Sequence, residues 1–306
     1  MLRFIIRRLF VTIPTILGVI TITWGLIRLA PGNFYSGEKR IPPAIERNIR
    51  EKYGLNKPWY VQYARTMSHI LRLDFGNSLK YEGQPVNRII ARSLPVSATV
   101  GILAYLLALV VGITAGSIAA LKQNSKWDYG SMALAMLGIS VPNFVLGPVL
   151  VLIFSLTLYW LPPSRWYGFP SKGVILPVLT LSAIYMAYIA RLTRAGLLEV
   201  LRSDYIRTAR AKGLRERDVV IRHALRGGLM PVVSYTGPAL AFLLTGAVVV
   251  ERIFALPGLG NYFIQASLNR DEPLIIGIVS FIAMTLLLMN LLVDIAYAYL
   301  DPRIRY

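Results

Sequence analysis

The stretch VSATVGILAYLLALVVGITAGSIAAL, residues Val96–Leu121, contains no charged side chain. An α-helix of about 20 apolar residues crosses a hydrocarbon core of about 30 Å, so this stretch predicts a membrane-spanning helix. Five further stretches meet the same criterion: Leu9–Leu29, Met132–Leu158, Val174–Ala190, Leu229–Val250 and Leu274–Val293. The sequence therefore predicts an all-α membrane protein with six transmembrane helices.

The composition agrees with this fold class. Only 16% of the residues are charged, against about 25% in soluble domains, and 55% are hydrophobic. The 33 basic and 15 acidic residues leave a net charge of +18. In a membrane protein such an excess reflects orientation first, so no nucleic-acid partner is expected.

The basic residues are unevenly distributed among the short loops, which predicts the orientation. One face carries most of them: Arg3, Arg7, Arg8, Lys122, Lys126, ten bases between Arg191 and Arg226, Arg303 and Arg305. The opposite face carries few: Arg165, Lys172, Arg252 and Arg270. The crowded face is predicted to be cytoplasmic, with both termini there.

Five regions follow from the spans and loops. Residues 1–30 form an N-terminal tail and first span, 31–95 a periplasmic loop domain, and 96–300 the transmembrane core. Within the core, 191–228 is a cytoplasmic loop, and 301–306 is a cytoplasmic tail. The N-terminal run resembles a signal peptide, but its length favours a retained helix because signal cores span only about 7–15 residues.

The periplasmic loop shows helical patterning. Ala44–Tyr53 is predicted to be helical and to stop at Gly54, and Asp74–Leu79 (DFGNSL) is predicted to turn. Between them, apolar side chains recur at helical spacing: Tyr60, Tyr63, Met67, Ile70 and Leu71. Val86–Ile90 forms an amphipathic lead-in to the second span. The loop is either a helical cap or a contact surface for an external partner, and the spacing favours neither.

Small residues and prolines mark two spans. The second span has a small residue at every fourth position, which lets another helix approach closely: Ala104, Ala108, Gly112, Gly116 and Ala120. Packing is the simpler interpretation and a role in gating the alternative. In the third span, Pro142 and Pro148 predict a bend.

The motifs of several kinds of enzyme are absent. The sequence has no cysteine and only two distant histidines, which excludes thiol chemistry and disfavours a metal site. It has no G-x-x-x-x-G-K-[ST] phosphate-binding loop, so ATP hydrolysis on this chain is not expected. No charged residue lies at the centre of a span, where proton-coupled transporters place their relays. No cofactor is therefore expected on this chain.

The longest cytoplasmic loop contains two predicted helices. Ser203 or Asp204 can cap the first, DYIRTARAKG, which ends before Gly213. Its face of Tyr205, Ile206 and Ala209 either enters a partner or lies on lipid headgroups. In the second helix, acidic residues come first and basic residues last, as the helix dipole favours.

The segment DYIRTARAKGLRERDVVIRHALRGGLMP, Asp204–Pro231, resembles the coupling loop of binding-protein-dependent ABC importer permeases. More narrowly, it resembles the B-type permeases of the oligopeptide and dipeptide branch. Further matching segments follow in order along the chain: MLRFIIRRLFVTIPTILGV, Leu29–Gly32, DFGNSL, Pro85–Val86, Glu251–Phe254, Pro257–Gly260 and LDPRIRY. Where the wider family has Glu-Ala-Ala, this chain has Arg207-Thr208-Ala209, so a contact of that glutamate is not carried over.

The resemblance implies the type I ABC importer permease fold and a multi-subunit importer of oligopeptides in the inner membrane of a bacterium. The implied partners are a second homologous permease, two ATPase subunits that bind ATP and magnesium, and a periplasmic peptide-binding protein, with peptide as substrate and lipid around the spans. The residues implied to dock an ATPase are Asp204, Tyr205, Ile206, Arg207, Ala209, Arg210 and Gly213.

Several alternatives stay open at this stage. Within the family, the chain could serve a dipeptide, nickel or glutathione importer, because the binding protein would set most of the specificity. Outside it, a secondary transporter or channel would act without partners. A membrane scaffold would leave solute uptake unchanged when its gene is deleted.

Overall fold

The computed structural model describes residues 2–29, 47, 51, 54–163, 166–244 and 247–300. The predicted helix Ala44–Tyr53, apart from two single residues, and the tail 301–306 lie outside these ranges. No strand occurs within them, and the helices are α1 (Leu2–Leu29), α2 (Trp59–Leu71), α3 (Val86–Leu121), α4 (Lys126–Ser140), α5 (Asn143–Val151), α6 (Ile175–Leu201), α7 (Asp204–Ala211), α8 (Glu216–Asp218), α9 (Leu225–Gly228), α10 (Met230–Leu244), α11 (Val248–Ile253), α12 (Leu259–Leu268) and α13 (Glu272–Leu300). The all-α fold is confirmed.

Four described helical segments are long and apolar enough to cross a membrane: Val86–Leu121, Lys172–Leu201, Met230–Ile253 and Glu272–Ile295. The pair Lys126–Ser140 and Asn143–Thr157 meets the criterion jointly but is bent by 102°. The first predicted span lies in α1, whose segment Ile13–Leu29 is a shorter apolar helix. These elements are compatible with six spans.

The bend between α4 and α5 lies at the predicted proline. Pro142 precedes the first residue of α5 with φ −60° and ψ 143°, outside the helical region. Proline lacks the N–H that would continue the hydrogen bonding of α4, so the helix stops and restarts in a new direction. Leu152–Thr157 continues α5 as a π-helical segment.

The second predicted span is part of a longer helix. α3 begins at Val86, so the lead-in and the span are continuous and the helix crosses the predicted domain boundary at residues 95 and 96. Val86 and Ile89 are buried against Leu259 and Leu274, and this burial stabilises the first part of the helix.

The small residues of α3 form its contact with α6. All five are buried: Ala104, Ala108, Gly112, Gly116 and Ala120. A Cβ atom on Gly112 would lie 2.8 Å from Ile189 Cβ, and one on Gly116 would lie 2.7 Å from Thr193 Cβ. Real Cβ atoms do not approach so closely, so the two backbones touch only because these positions lack side chains.

The bundle has two ends. At the basic end, residues 122–125 and 202–229 connect the spans; at the far end lie residues 54–85 and 254–271. α2 packs at the far end against α1, where Trp24 and Tyr63 meet edge to face at 5.3 Å. The described part of the loop is therefore a helical cap.

A buried carboxylate holds the DFGNSL turn at the far end. Asp271 is fully buried at the start of α13 and accepts hydrogen bonds from the Ser78 hydroxyl, Leu79 N (3.1 Å) and Lys80 N (3.2 Å). It also accepts one from Leu274 N at 3.3 Å. This residue joins the loop after α2 to the last span. Its position before Glu272-Pro273 is a helix N-cap signal, but that signal does not reveal the contact with the distant turn.

Candidate docking site at the basic end

The first loop helix, α7, forms as predicted over Asp204–Ala211. Ser203 occupies the N-cap position but donates its hydroxyl backwards to Val200 O at 2.6 Å instead of capping the helix. Gly213 follows the helix with φ +76°, the left-handed conformation that glycine adopts without steric cost. The chain therefore turns sharply and begins a second helix.

The apolar side of α7 is buried within its own chain. Ile206 is 0% and Ala209 7% exposed. Both pack in a cluster with the end of α3, α6 and the second loop helix: Ala120, Leu197, Val219 and Ala224. In this structure Ile206 and Ala209 are thus covered by their own chain, and their contact with a partner stays a prediction. Helical spacing shows that a face is apolar, but not which surface buries it.

The remaining side of α7 points away from the chain, and we call it the outer face: Asp204, Tyr205, Arg207, Thr208 and Ala211. Tyr205 is half exposed, and its hydroxyl lies 3.1 Å from where Gly227 would carry a Cβ. Arg207 contacts Asp204 at 3.4 Å with both side chains in solvent. This face carries hydrogen-bonding groups of both charges around one aromatic ring.

Arg210 braces the two loop helices. Its guanidinium donates to both carboxylate oxygens of Glu216, at 3.1 and 2.7 Å, across the turn at Gly213. This hydrogen bonding lowers the pKa of Glu216 and raises that of Arg210. Arg210, one of the residues implied to dock an ATPase, is thus paired within the chain across the turn, and its docking stays a prediction.

The second loop helix connects the site to the spans. It comprises α8, a π-helical segment Val219–Ala224 and α9, and it leads directly into α10. A Cβ on Gly228 would lie 2.7 Å from Leu197 Cδ2, so α9 and α6 are in close contact. The loop helices are therefore packed against α6 and continuous with α10.

A buried ion pair stiffens the same end of the bundle. Arg194 donates to both oxygens of Asp128, at 2.7 and 2.8 Å, and Asp128 is 2% exposed. Asn124 N also donates to Asp128, at 3.0 Å. The pair joins the start of α4 to α6. Sequence reasoning counted Arg194 only as one of the basic loop residues.

Both parts of the chain match known families. Residues 112–306 match the family "Binding-protein-dependent transport system inner membrane component", and residues 1–101 match its N-terminal counterpart, "Binding-prot-dependent transport system membrane comp, N-term". The chain belongs to this family. It is accordingly a multi-pass inner-membrane component of a binding-protein-dependent transport system.

Relatives and solved structures agree with this membership. The chain is 48% identical to the oligopeptide transport system permease protein OppB of Escherichia coli and 46% identical to that of Haemophilus influenzae. Identity to the dipeptide transport system permease protein DppB of Bacillus subtilis is 41%. The chain is matched over its full length by all three, with 100%, 100% and 98% of the relative covered.

The fold is similar to that of the MetNI methionine ABC transporter in an inward-facing conformation. The TM-score is 0.58 at 16% identity, over 72% of this chain and 99% of that one. For a structure of an amino acid ABC transporter, the TM-score is 0.53 at 15% identity, over 70% of this chain and 94% of that one. These likenesses bear out the type I importer permease fold.

Proposed function

We propose that this chain is the permease subunit of an ATP-driven importer of oligopeptides. The observation that carries the proposal is the full-length match, at 48% identity, to an oligopeptide transport permease. The geometry of the loop supports it, because α7 is seated on its own spans and presents a polar outer face to a partner. A lever of this kind suits a subunit that is driven by another protein.

Energy would come from partner chains. The sequence encodes no phosphate-binding loop, so ATP and magnesium would be bound by two ATPase subunits seated at the basic end. A second homologous permease would complete the path, and a periplasmic binding protein would deliver peptide at the far end. The basic end would then be cytoplasmic, together with both termini.

The test is uptake of labelled peptides by the reconstituted complex of permeases, ATPases and binding protein. We expect peptides longer than two residues to accumulate only with ATP, and to do so unchanged when an ionophore collapses the proton gradient. Uptake that follows the gradient, or that this chain performs alone, would overturn the proposal.

A dipeptide importer is the second candidate, favoured by the 41% identity to a dipeptide permease. Transport confined to dipeptides in the same assay would establish it instead.

A further inference from the structure

Three tyrosines from two helices meet inside the membrane-spanning bundle. Tyr185 and Tyr188 lie on α6, and Tyr235 lies on α10. The ring centroids of Tyr185 and Tyr235 are 6.3 Å apart, and those of Tyr188 and Tyr235 are 5.7 Å apart. We call this group the tyrosine cluster.

The cluster lies in the half of the spans nearer the basic end. Tyr185 and Tyr188 lie in the uncharged run between Val174 and Ala190, and Tyr235 lies near the start of α10 at Met230. The nearest charge on α6 is Arg191, whose guanidinium lies 5.2 Å from the Tyr188 ring centroid on the side of the basic end. The tyrosines therefore place three phenol groups within the uncharged part of two spans.

The hydroxyls of the cluster are available to a ligand. In the described part of the chain none of the three has a hydrogen-bond partner, and none is among the fully buried polar atoms without one. Tyr105 shows the contrast, since it is 3% exposed and its hydroxyl lies 2.7 Å from Thr236 Oγ1. One tyrosine of this region thus serves packing, whereas three leave their hydroxyls open.

A hydroxyl without a partner is costly in hydrocarbon, because it loses the hydrogen bonds that it made with water. Polar groups within a membrane protein accordingly face a water-filled path or another polar surface rather than lipid tails. Three such groups close together, on two helices that are joined to the loop helices, indicate a surface of the path itself.

We propose that the tyrosine cluster lines the substrate path and binds the main chain of the peptide, an assignment that rests on the proposed function. A phenol hydroxyl both donates and accepts, so it can bond either the N–H or the C=O of a peptide unit. Every residue other than proline offers both groups. Because the cluster is uncharged, it holds a peptide without selecting for charged side chains.

The test uses the assembled complex in vesicles and the triple variant Tyr185→Phe, Tyr188→Phe, Tyr235→Phe. The change keeps each ring and removes only the hydroxyl. We expect uptake of every tested oligopeptide to fall about 2- to 10-fold per hydroxyl. Tyr105→Phe is the matched control, since its hydroxyl is bonded within this chain; uptake should be unaltered.

A peptide with methylated main-chain nitrogens distinguishes this role from a structural one. The wild-type complex should transport it more slowly than the unmethylated peptide, and the triple variant should have lost part of that difference. The same binding protein is present in both reactions, so its own preference cancels. An undiminished difference would refute main-chain binding.

Failure of the inference and failure of the proposed function give different results. If the wild-type complex takes up no oligopeptide, the function is wrong; if it does and the triple variant equals it, the inference is wrong. Should the triple variant not assemble, the single variant Tyr235→Phe tests uptake in its place, and the variant Tyr188→Cys tests access to the cluster. That cysteine should react with a water-soluble thiol reagent and be protected by transported peptide. Reaction with lipid-soluble reagents only would show that the cluster faces lipid. Protection by the second permease in the absence of peptide would place the cluster in the subunit interface. Either result would refute the inference.

Discussion

The Ser97 hydroxyl donates a 2.6 Å hydrogen bond to Glu251 Oε1, joining residues 154 positions apart. Ser97 Oγ also accepts from Leu259 N at 2.9 Å, and Glu251 Oε2 accepts from Asn261 N at 3.1 Å. Both side chains are buried, and a Cβ on Gly258 would lie 2.5 Å from Glu251 Oε1. These hydrogen bonds fasten α3 to α11 and to the start of α12.

Ser97→Ala should destabilise the protein by about 1–3 kcal/mol, because it leaves the buried Leu259 N–H without an acceptor and Glu251 with one donor fewer. Thermal unfolding of the purified complex measures the loss as a lower Tm. Ser267→Ala is the control, since that exposed hydroxyl bonds only to its own helix, at Phe263 O. Equal Tm values for the two variants would show that the buried contact contributes nothing.

Gly116→Ala should separate α3 from α6, because its Cβ would collide with Thr193 Cβ. Overpacking of this kind costs about 1–3 kcal/mol, again measured as a lower Tm of the complex. Gly130→Ala in α4 is the matched control, with nothing within 4 Å of the added Cβ. It should be neutral or stabilising, since alanine favours helix over glycine. The close approach would be disproved if both changes had the same effect.

The outer face of α7 should contact an ATPase subunit. The chain contains no cysteine, so single cysteines can be placed without background. We expect cysteine at Arg207 or Thr208 to crosslink to a cysteine in the ATPase groove, and cysteine at Ile206 or Ala209 not to, because the latter two are buried in this chain. Crosslinking from Ala209 but not from Arg207 would show that α7 leaves its seat on docking. If the cysteine at position 207 reacted only with lipid-soluble probes and formed no crosslink, the helix would lie on the headgroups instead.

The brace between Arg210 and Glu216 should weaken in acid. Its hydrogen bonds lower the pKa of Glu216 in the folded state, so its contribution is complete above the ordinary glutamate range and is lost as the pH falls through the lowered value. Amide exchange in α7, corrected for the intrinsic pH dependence, should accelerate over that window.

Glu216→Gln removes the ionised partner, so exchange in α7 should already be fast at neutral pH and show no further transition. Glu199→Gln, a change at an exposed acid on α6, should leave the wild-type profile intact. A transition of the same size in the Glu216 variant would assign the pH dependence to another group.

The two ends of the bundle should lie on opposite sides of the membrane. Cysteines at Lys126 and Arg215 should react with an impermeant reagent only from the cytoplasm, and those at Lys172 and Arg270 only from outside, because basic residues crowd the short loops of one end. If the cysteines at positions 215 and 172 were labelled from the same side, the chain would have a different number of spans.

The helices and the loop turn were predictable because their signals are local. Runs of apolar residues locate the spans, Pro142 locates the bend and Gly213 the end of α7, each through the conformational limits of one residue type. The docking face stays a prediction. Apolar periodicity identified Ile206 and Ala209 as one face but could not distinguish burial within the chain from burial in a partner.

The sequence by itself determined the all-α class, the membrane location and the family, since these depend on composition, apolar runs and motifs read in order. Only the tertiary structure decided which groups form its polar contacts: Glu251 with Ser97, Asp271 with the DFGNSL turn, Asp128 with Arg194, and the open hydroxyls of the tyrosine cluster. The physical reason is distance along the chain. A buried polar group must be satisfied by whichever partner the packing of helices brings to it, and helix packing is fixed by the close approach of small residues on elements far apart in sequence.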